Sequence, residues 1–543
     1  MKSIKITLIF ILFIAVFFSL SAQDSEQIFT VNFTPDTLMY NPIYSYTTSE
    51  AQLYTALFEG LVTYHPSSLS PLPGVAEDWD ISDDGLTYTF YLRDARYANG
   101  DPVTSENFRN SWIEILRPEN NASYSFLFDI MAGAKDFRTG KNNDPGSIGI
   151  ETPAPQTLRI TLDKPASHFL KILCHHSFAP VHPENLFIRD LTDSSKVIGN
   201  GPYIIKEDKT WGITLRKNGA YWDEENVYYD EIKLIDNRDD QEVTKMFNRN
   251  EIQWVPHDWD LLEVQFQDSV QINPMFATTY FFIFSGEEPF SDPAVRKGMS
   301  LLMPWDEIRD PEKFFTPAET LVPFILGYPE IEGLSQDVEN GLKLLEEAGY
   351  PRGRGLGEIV FKIPPDEVSR ETAELMAGAL KEHLEITTEL KVVSYNTYFD
   401  DLEKKDYTFG TLTWIGDFAD PLTFLQMWTT DSNLNDADFM NDEFDRLVED
   451  SMDGENDGRY ELLAEAEKML IETGVVLPVS HSPAVNLINL NRIDGWYPNP
   501  LDIHPFKHLK AKKQGFDPSV VLRFHKPQQF PVITGPSFDF LTR

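Results

Sequence analysis

Apolar and polar residues alternate over residues 86–92, where Leu86, Tyr88, Phe90 and Leu92 oppose Thr87, Thr89 and Tyr91. A period of two marks a half-buried strand, and the Asp-Asp-Gly turn signal at 83–85 precedes it. Residues 157–162, 212–216 and 358–363 predict further strands. A period near 3.6 governs other stretches. Thr104 or Ser105 caps a predicted helix running to Leu116. Residues 335–349 set Val338, Leu342 and Leu345 on one face, then stop at Gly349 ahead of Pro351. Residues 369–384 align Leu375, Met376, Ala379, Leu380 and Leu384, and residues 442–452 and 460–472 predict two more helices. Strands and helices alternate best between about 357 and 479, which predicts an α/β lobe. Residues 72–162 read as a smaller β-rich lobe. From residue 514 prolines recur and periodicity fades, so this part reads as an extension.

The chain has 543 residues, enough for two to four lobes. Its formal net charge of −40 argues against nucleic acid or an anionic membrane surface as partner. Residues 1–22 combine Lys2 and Lys5, an apolar run from Thr7 to Phe18 and small residues ending at Ala22. This is the pattern of a secretory signal peptide cleaved after Ala22. Its removal would take the charge from −40 to −42 by the loss of two lysines. The leader holds no cysteine for lipid attachment, so the expectation is an exported, non-lipidated protein. Cys174 is the only cysteine, which precludes an internal disulfide; its apolar surroundings suit a buried, inert thiol.

Motifs for common catalysis are missing: no G-x-S-x-G, no H-E-x-x-H, no Walker loop. The glycines of 353–357 precede a predicted strand, the wrong place for a dinucleotide loop. His175, His176 and His182 lack a completing ligand at metal spacing and read as ordinary packing or surface histidines, so no metal and no cofactor are expected. One stretch stands out, TWIGDFADPLTF at 413–424. It places Asp417 between Trp414 and Phe418, just after the strand-like run that ends at Thr413. A carboxylate in apolar company is costly unless a cation or a set of donors meets it. It reads either as a loop or helix-cap carboxylate or as the counter-charge of a ligand. Trp414, Trp428, Tyr395 and Tyr398 nearby could line an apolar cleft. Asp420, before Pro421, reads as a helix cap.

The order of short motifs carries more than any one of them. LFEGL at 57–61 is followed by PGVAEDW at 73–79, DGLTYTFYLR at 84–93 and NGDPVT at 99–104. NGPY at 200–203, NGAYW at 218–222, Pro289-Phe290, AGY at 348–350, W-x-x-DF-x-DP at 414–421 and LPV at 477–479 follow. Over about residues 29–509 the chain resembles the family 5 extracellular solute-binding proteins, the oligopeptide- and dipeptide-binding components of ABC importers. The resemblance implies an α/β, two-lobed periplasmic binding protein of type II-like, cluster C form, with a third domain and a hinge. It implies a discontinuous lobe I (23–58, 185–287 and 496–513), a β-rich domain II (59–184), a lobe III (288–495) and a C-terminal extension (514–543).

It also implies a function: capture of short peptides between the lobes and delivery to permease subunits in the inner membrane, by a monomeric non-enzyme. In such proteins an extended peptide pairs with main-chain groups. Here these would come from Trp414, Ile415 and Gly416, together with Tyr46, Thr47 and Thr48 on the other lobe. The peptide α-ammonium would meet Asp417, with Trp414 and Phe418 as walls; Thr413 and Tyr395 complete the candidate set. The sequence departs from the family around Pro289 and shows no cation for a peptide carboxylate near Leu402 and Thr411; Lys404 and Lys405 read as turn residues. An oligosaccharide or other small solute on the same fold stays open, as do a sensor and a secreted hydrolase.

Overall fold

Short strands built on these alternating patterns assemble into one ten-stranded sheet. Its order is Thr388–Val392, Ile359–Ile363, Phe409–Ile415, Val270–Ile283, Val476–Ile488, Trp254–Pro256, Ile28–Asn32, Glu231–Ile235, Gly212–Lys217 and Tyr203–Lys209. The structure is a computed structural model. It describes residues 27–33, 39–44, 48–257, 259–311, 316–418, 420–453 and 456–512. The expected signal peptide and the 514–543 extension lie outside the described residues.

Two long strands, Val270–Ile283 and Val476–Ile488, join the halves of the sheet. One end of this antiparallel pair meets Trp254–Pro256, and the other meets Phe409–Ile415. Where the halves meet, Pro274 opposes Pro483, and the register slips between Pro274 and Thr278. Proline has no N–H to give the ladder, so the crossing strands are bound least firmly there. This is the weak point that a hinge needs.

The predicted strands appear with trimmed ends. Thr87–Leu92 buries Tyr88, Phe90 and Leu92, and pairs with Thr157–Thr161 in a separate four-stranded antiparallel sheet with Ala76–Ile81 and Ile150–Ala154. Ile359–Ile363 is buried at every position, as expected of a strand with helices on its faces. Helix Glu367–Leu384 lays Ala373, Met376, Ala379, Leu380 and Leu384 into the core formed with Ile359, Phe361 and Ile363. It starts earlier than the apolar period indicates because the Asp366 side chain accepts from the Ser369 N–H. Helix Val338–Glu347 likewise starts at an aspartate cap, Asp337, so Ser335 lies outside it. That helix packs closely on Pro293–Leu301: a Cβ on Gly298 would sit 3.0 Å from the Gly341 carbonyl oxygen.

The segment that leads from helix Thr48–Leu57 toward the four-stranded sheet is anchored by a buried carboxylate. Glu59 follows helix Thr48–Leu57 and accepts from the Tyr221 hydroxyl (2.5 Å), the Trp222 indole N–H (2.5 Å) and the Lys507 ammonium (2.7 Å). These partners lie far apart in sequence, so one ion pair pins distant parts of the chain together. Cys174 is a free, buried thiol whose ionisation is pushed well up by burial.

Candidate functional site

The strand Phe409–Ile415 is buried along its whole length, with Trp414 at 0 % exposure. Its bonds to the crossing strand can be read from the ends of the pair. The Gly416 N–H donates to the Phe276 carbonyl (2.8 Å), and the Phe284 N–H donates to the Thr408 carbonyl (2.9 Å). Antiparallel bonding alternates, so even-numbered residues between these ends bond to the crossing strand, and odd-numbered ones face the opposite edge. On that edge Phe409 meets Phe361, and the Thr411 N–H and carbonyl both bond the Tyr398 hydroxyl. Beyond Thr411, no strand among the described residues pairs with the edge, which leaves the main-chain groups of Thr413 and Ile415 without a ladder partner.

Gly416 then turns the chain where no side chain fits. A Cβ there would lie 2.6 Å from Phe276 Cδ1 and 2.8 Å from Thr423 Cγ2. The chain folds back through the short helix Leu422–Leu425 and locks the turn. The Trp414 indole N–H donates to the Thr423 carbonyl (2.9 Å). The Asp417 N–H donates to the Thr423 hydroxyl (2.8 Å), which donates to Asp417 Oδ2 (3.3 Å).

Asp417 is thereby held in a buried position. Three groups from between residues 64 and 175 face it. The Tyr64 hydroxyl donates to the Asp417 carbonyl (3.2 Å), the Tyr124 hydroxyl bonds the carboxylate, and His175 Nε2 lies 3.7 Å from Oδ1. His175 Nδ1 accepts from the Ser177 N–H (3.3 Å), so the proton of the neutral ring sits on Nε2, toward Asp417. Burial drives the histidine well below its ordinary range, so it offers no positive charge. Burial also pushes the Asp417 carboxyl up to about 8, against the lowering effect of Thr423 and Tyr124. The site therefore has hydroxyl donors and a neutral imidazole around an acid, with no cation beside it among the described residues. A cavity of about 40 Å³ adjoins it, lined in part by Tyr54, Tyr64, Cys174, His175, His176 and Lys507.

The structure brings together Thr413, Trp414, Ile415, Gly416, Asp417 and Phe418; Phe418 is buried in the same core as Trp414. Tyr395 is half-buried in the turn Tyr395–Thr397 and packs on that core. Tyr46 and Thr47 lie outside the described residues, and Thr48 is the first residue of helix Thr48–Leu57. Sequence reading missed His175, Tyr124 and Tyr64. His175 was expected to be an ordinary packing or surface histidine; it does pack, against Tyr124 and His176, and what the sequence did not disclose is that it neighbours Asp417. Asp420 was expected to cap a helix; the N-cap of Leu422–Leu425 is instead Pro421, and Asp420 accepts from the Leu422 N–H (3.0 Å) one position earlier. It also forms a bidentate pair with Arg459 at 2.6 and 2.8 Å, which a local pattern could not disclose. Among the described residues no cluster of His, Cys, Asp and Glu could hold a metal.

A crossing-strand pair that joins two sheet halves, with a buried acid beside an unpaired strand edge, defines a two-lobed binding protein with a third domain. Residues 70–436 match the model of the bacterial extracellular solute-binding proteins, family 5 (middle region), and the chain belongs to that family. It is 28% identical to the dipeptide-binding protein DppE of Bacillus subtilis over 86% of this chain and 88% of that one. It is 27% identical to the periplasmic oligopeptide-binding protein OppA of Salmonella typhimurium over 81% and 84%. The solved structure of the periplasmic oligopeptide-binding protein OppAIV of Borrelia burgdorferi superposes with a TM-score of 0.79 at 26% identity, covering 90% of this chain and 100% of that one. Among the described residues no helix is long and apolar enough to cross a membrane.

Proposed function

We propose that this protein captures short peptides outside the inner membrane and passes them to the permease of an ABC importer. The observation that carries the reading is the unpaired edge of Thr413 and Ile415 leading directly to Asp417. An extended chain laid on that edge gains main-chain bonds whatever its side chains, and its α-ammonium supplies the cation that Asp417 lacks. On this reading the pairing groups on lobe III are those of Thr413 and Ile415. The Trp414 side chain is a support, and Gly416 bonds inward to Phe276. Residues 46–48 contribute from lobe I, which we take as 23–58, 185–287 and 496–513, with domain II at 59–184 and lobe III at 288–495. The names and folds of the relatives favour a binding protein over an enzyme.

Calorimetry with tri-alanine, N-acetyl-tri-alanine, wild type and Asp417→Asn tests the reading. Removing one partner of a buried pair costs about 3–5 kcal/mol, so Asp417→Asn should weaken tri-alanine by about two to four orders of magnitude. Wild type should discriminate strongly against the acetylated peptide and the variant much less, which gives a coupling energy well above zero. Equal affinity of wild type and Asp417→Asn for the free-amine peptide would overturn the ammonium role. Native mass spectrometry of the protein as purified would then show whether a bound sugar or another solute replaces the peptide.

A further inference from the structure

Residues 122–138, between the two central strands of the four-stranded sheet, reach across to the loop 431–433 that follows the Asp417 segment. Arg138 is the centre of the contact. Its side chain is 6 % exposed and holds Asp129 of its own unit bidentately at 2.8 and 2.6 Å. With its charge met there, Arg138 still has N–H groups to offer. It donates to the Asp431 carbonyl (2.9 Å) and, at longer range, to Asn433 Oδ1 (3.4 Å). Asn433 returns two bonds from Nδ2, to the Ala122 carbonyl (2.8 Å) and to Ser125 Oγ (2.9 Å). Lys135 adds an exposed pair with Asp431 at 3.4 Å.

The chain links the four-stranded unit to the half of the sheet formed by Ile28–Asn32 and Tyr203–Lys209. It enters through helix Thr48–Leu57 and leaves toward Tyr203. No covalent path joins it directly to loop 431–433. Its hold on that loop must therefore break if the halves of the sheet separate about Pro274 and Pro483. The chemistry suits a contact that reopens. Each of these bonds is exchanged for one with water at small net cost, and they sit beside apolar residues of both sides that share one buried core, among them Phe126, Leu127, Trp414 and Leu434. Because Asp129 stays with Arg138, opening strands no unpaired buried charge.

We infer that Arg138 and Asn433 form a latch by which domain II holds lobe III against lobe I, so that residues remote from the ligand set how long it is retained. This rests on the reading of the protein as a capturing receptor, but its test does not depend on which solute is captured. Spin labels at Lys209→Cys and Lys343→Cys, in a Cys174→Ala background, report the separation of the two sheet halves by pulsed electron resonance. Lys209 lies on the edge strand of one half, and Lys343 lies on an exposed helix of the other.

Asn433→Ala, which removes the two bonds from Nδ2 and the longer one accepted at Oδ1, should lower the ratio of short to long separations about five- to tenfold, without added peptide. The double variant Asp129→Ala/Arg138→Ala, which leaves no orphan charge, should do the same. With tri-alanine as probe, both should speed dissociation by a similar factor and leave association unchanged, a split that general loosening of the fold would not give. If the distance distributions of both variants superimpose on wild type while their melting temperatures stay near it, the contact moves as one body and the latch is refuted. Failure of tri-alanine to bind would count against the peptide reading alone, since the distance measurement stands without it.

Discussion

Asp417 and Asp420 lie three residues apart in one loop, both almost fully buried, and their surroundings differ in kind. Asp420 has its own guanidinium, with Arg459 bound through both nitrogens and the two side chains 1 % and 3 % exposed. Asp417 has hydroxyls, a neutral histidine and no cation. A carboxylate that serves the fold carries its counter-charge with it. One that serves a ligand is held in place by neutral donors and left short of a charge. The cost of that shortfall is borne by the protein until a cation arrives.

The sharpest way to break this contrast is to give Asp420 the predicament of Asp417. Arg459→Leu leaves Asp420 buried without its partner and should destabilise the fold by about 3–5 kcal/mol. The loss should appear as a lowered denaturation midpoint with an unchanged slope. A change below about 1 kcal/mol would mean that Asp420 reaches water or a proton, and the contrast with Asp417 would disappear.

A second test runs the other way. A buried acid whose ionisation is raised from 3.8 to about 8 binds more protons when buried than when unfolded anywhere between those values. Its burial is therefore least costly below about pH 4, and stability is lost as the pH rises through 8. Asp417→Asn removes that slope. The variant should be more stable than wild type at pH 8.5 by about 1–3 kcal/mol, since separation of the lobes offers the charge an escape cheaper than unfolding, and the gain should fade near pH 4. His168 tilts the same contact in the opposite direction. Burial lowers it from 6.5 to about 4 beside Arg459, Asp420 and Lys171, so its contribution is present above pH 6.5 and lost as the pH falls toward 4. Thermal melts of wild type, Asp417→Asn and His168→Phe from pH 4 to 9 should separate the two slopes. A flat difference between wild type and Asp417→Asn would show that the carboxylate is solvated after all.

Much of this contrast could be read from residues in a row, and the rest could not. The strand 359–363, the helices around 369–384 and 442–452, and the suspicion about an acid between Trp414 and Phe418 all follow from local periodicity and the cost of burying charge. The aspartate caps at Asp337 and Asp366 shift boundaries because a single side-chain bond outweighs the apolar period there. The partners of the two aspartates were hidden for a different reason. Arg459 lies 39 residues from Asp420, and Tyr64 lies 353 from Asp417. Only the tertiary fold decides which of 46 basic residues meets which of 86 acidic ones. Even the choice of main-chain groups depends on register: one residue of slip would put Trp414, not Thr413 and Ile415, on the open edge.

The smallest expected effect tests how Asp417 is held. Thr423 is its one partner within the loop, accepting from its N–H at 2.8 Å and donating to Oδ2 at 3.3 Å. Thr423→Val keeps the shape and removes both bonds, leaving a buried N–H unsatisfied. The cost should be about 1–2 kcal/mol in stability. Peptide affinity should fall by only about five- to tenfold, because the carboxylate keeps Tyr124 while its aim loosens. Thr423→Ser keeps the hydroxyl and loses the methyl that lies over Gly416, so it should bind peptide nearly as wild type does and lose about 1 kcal/mol or less of stability. The order wild type, Ser, Val in affinity places the hydroxyl in charge of the aim. If Val matches Ser, packing against Phe276 and Gly416 alone orients Asp417. The two aspartates would then differ only in the guanidinium that one of them has.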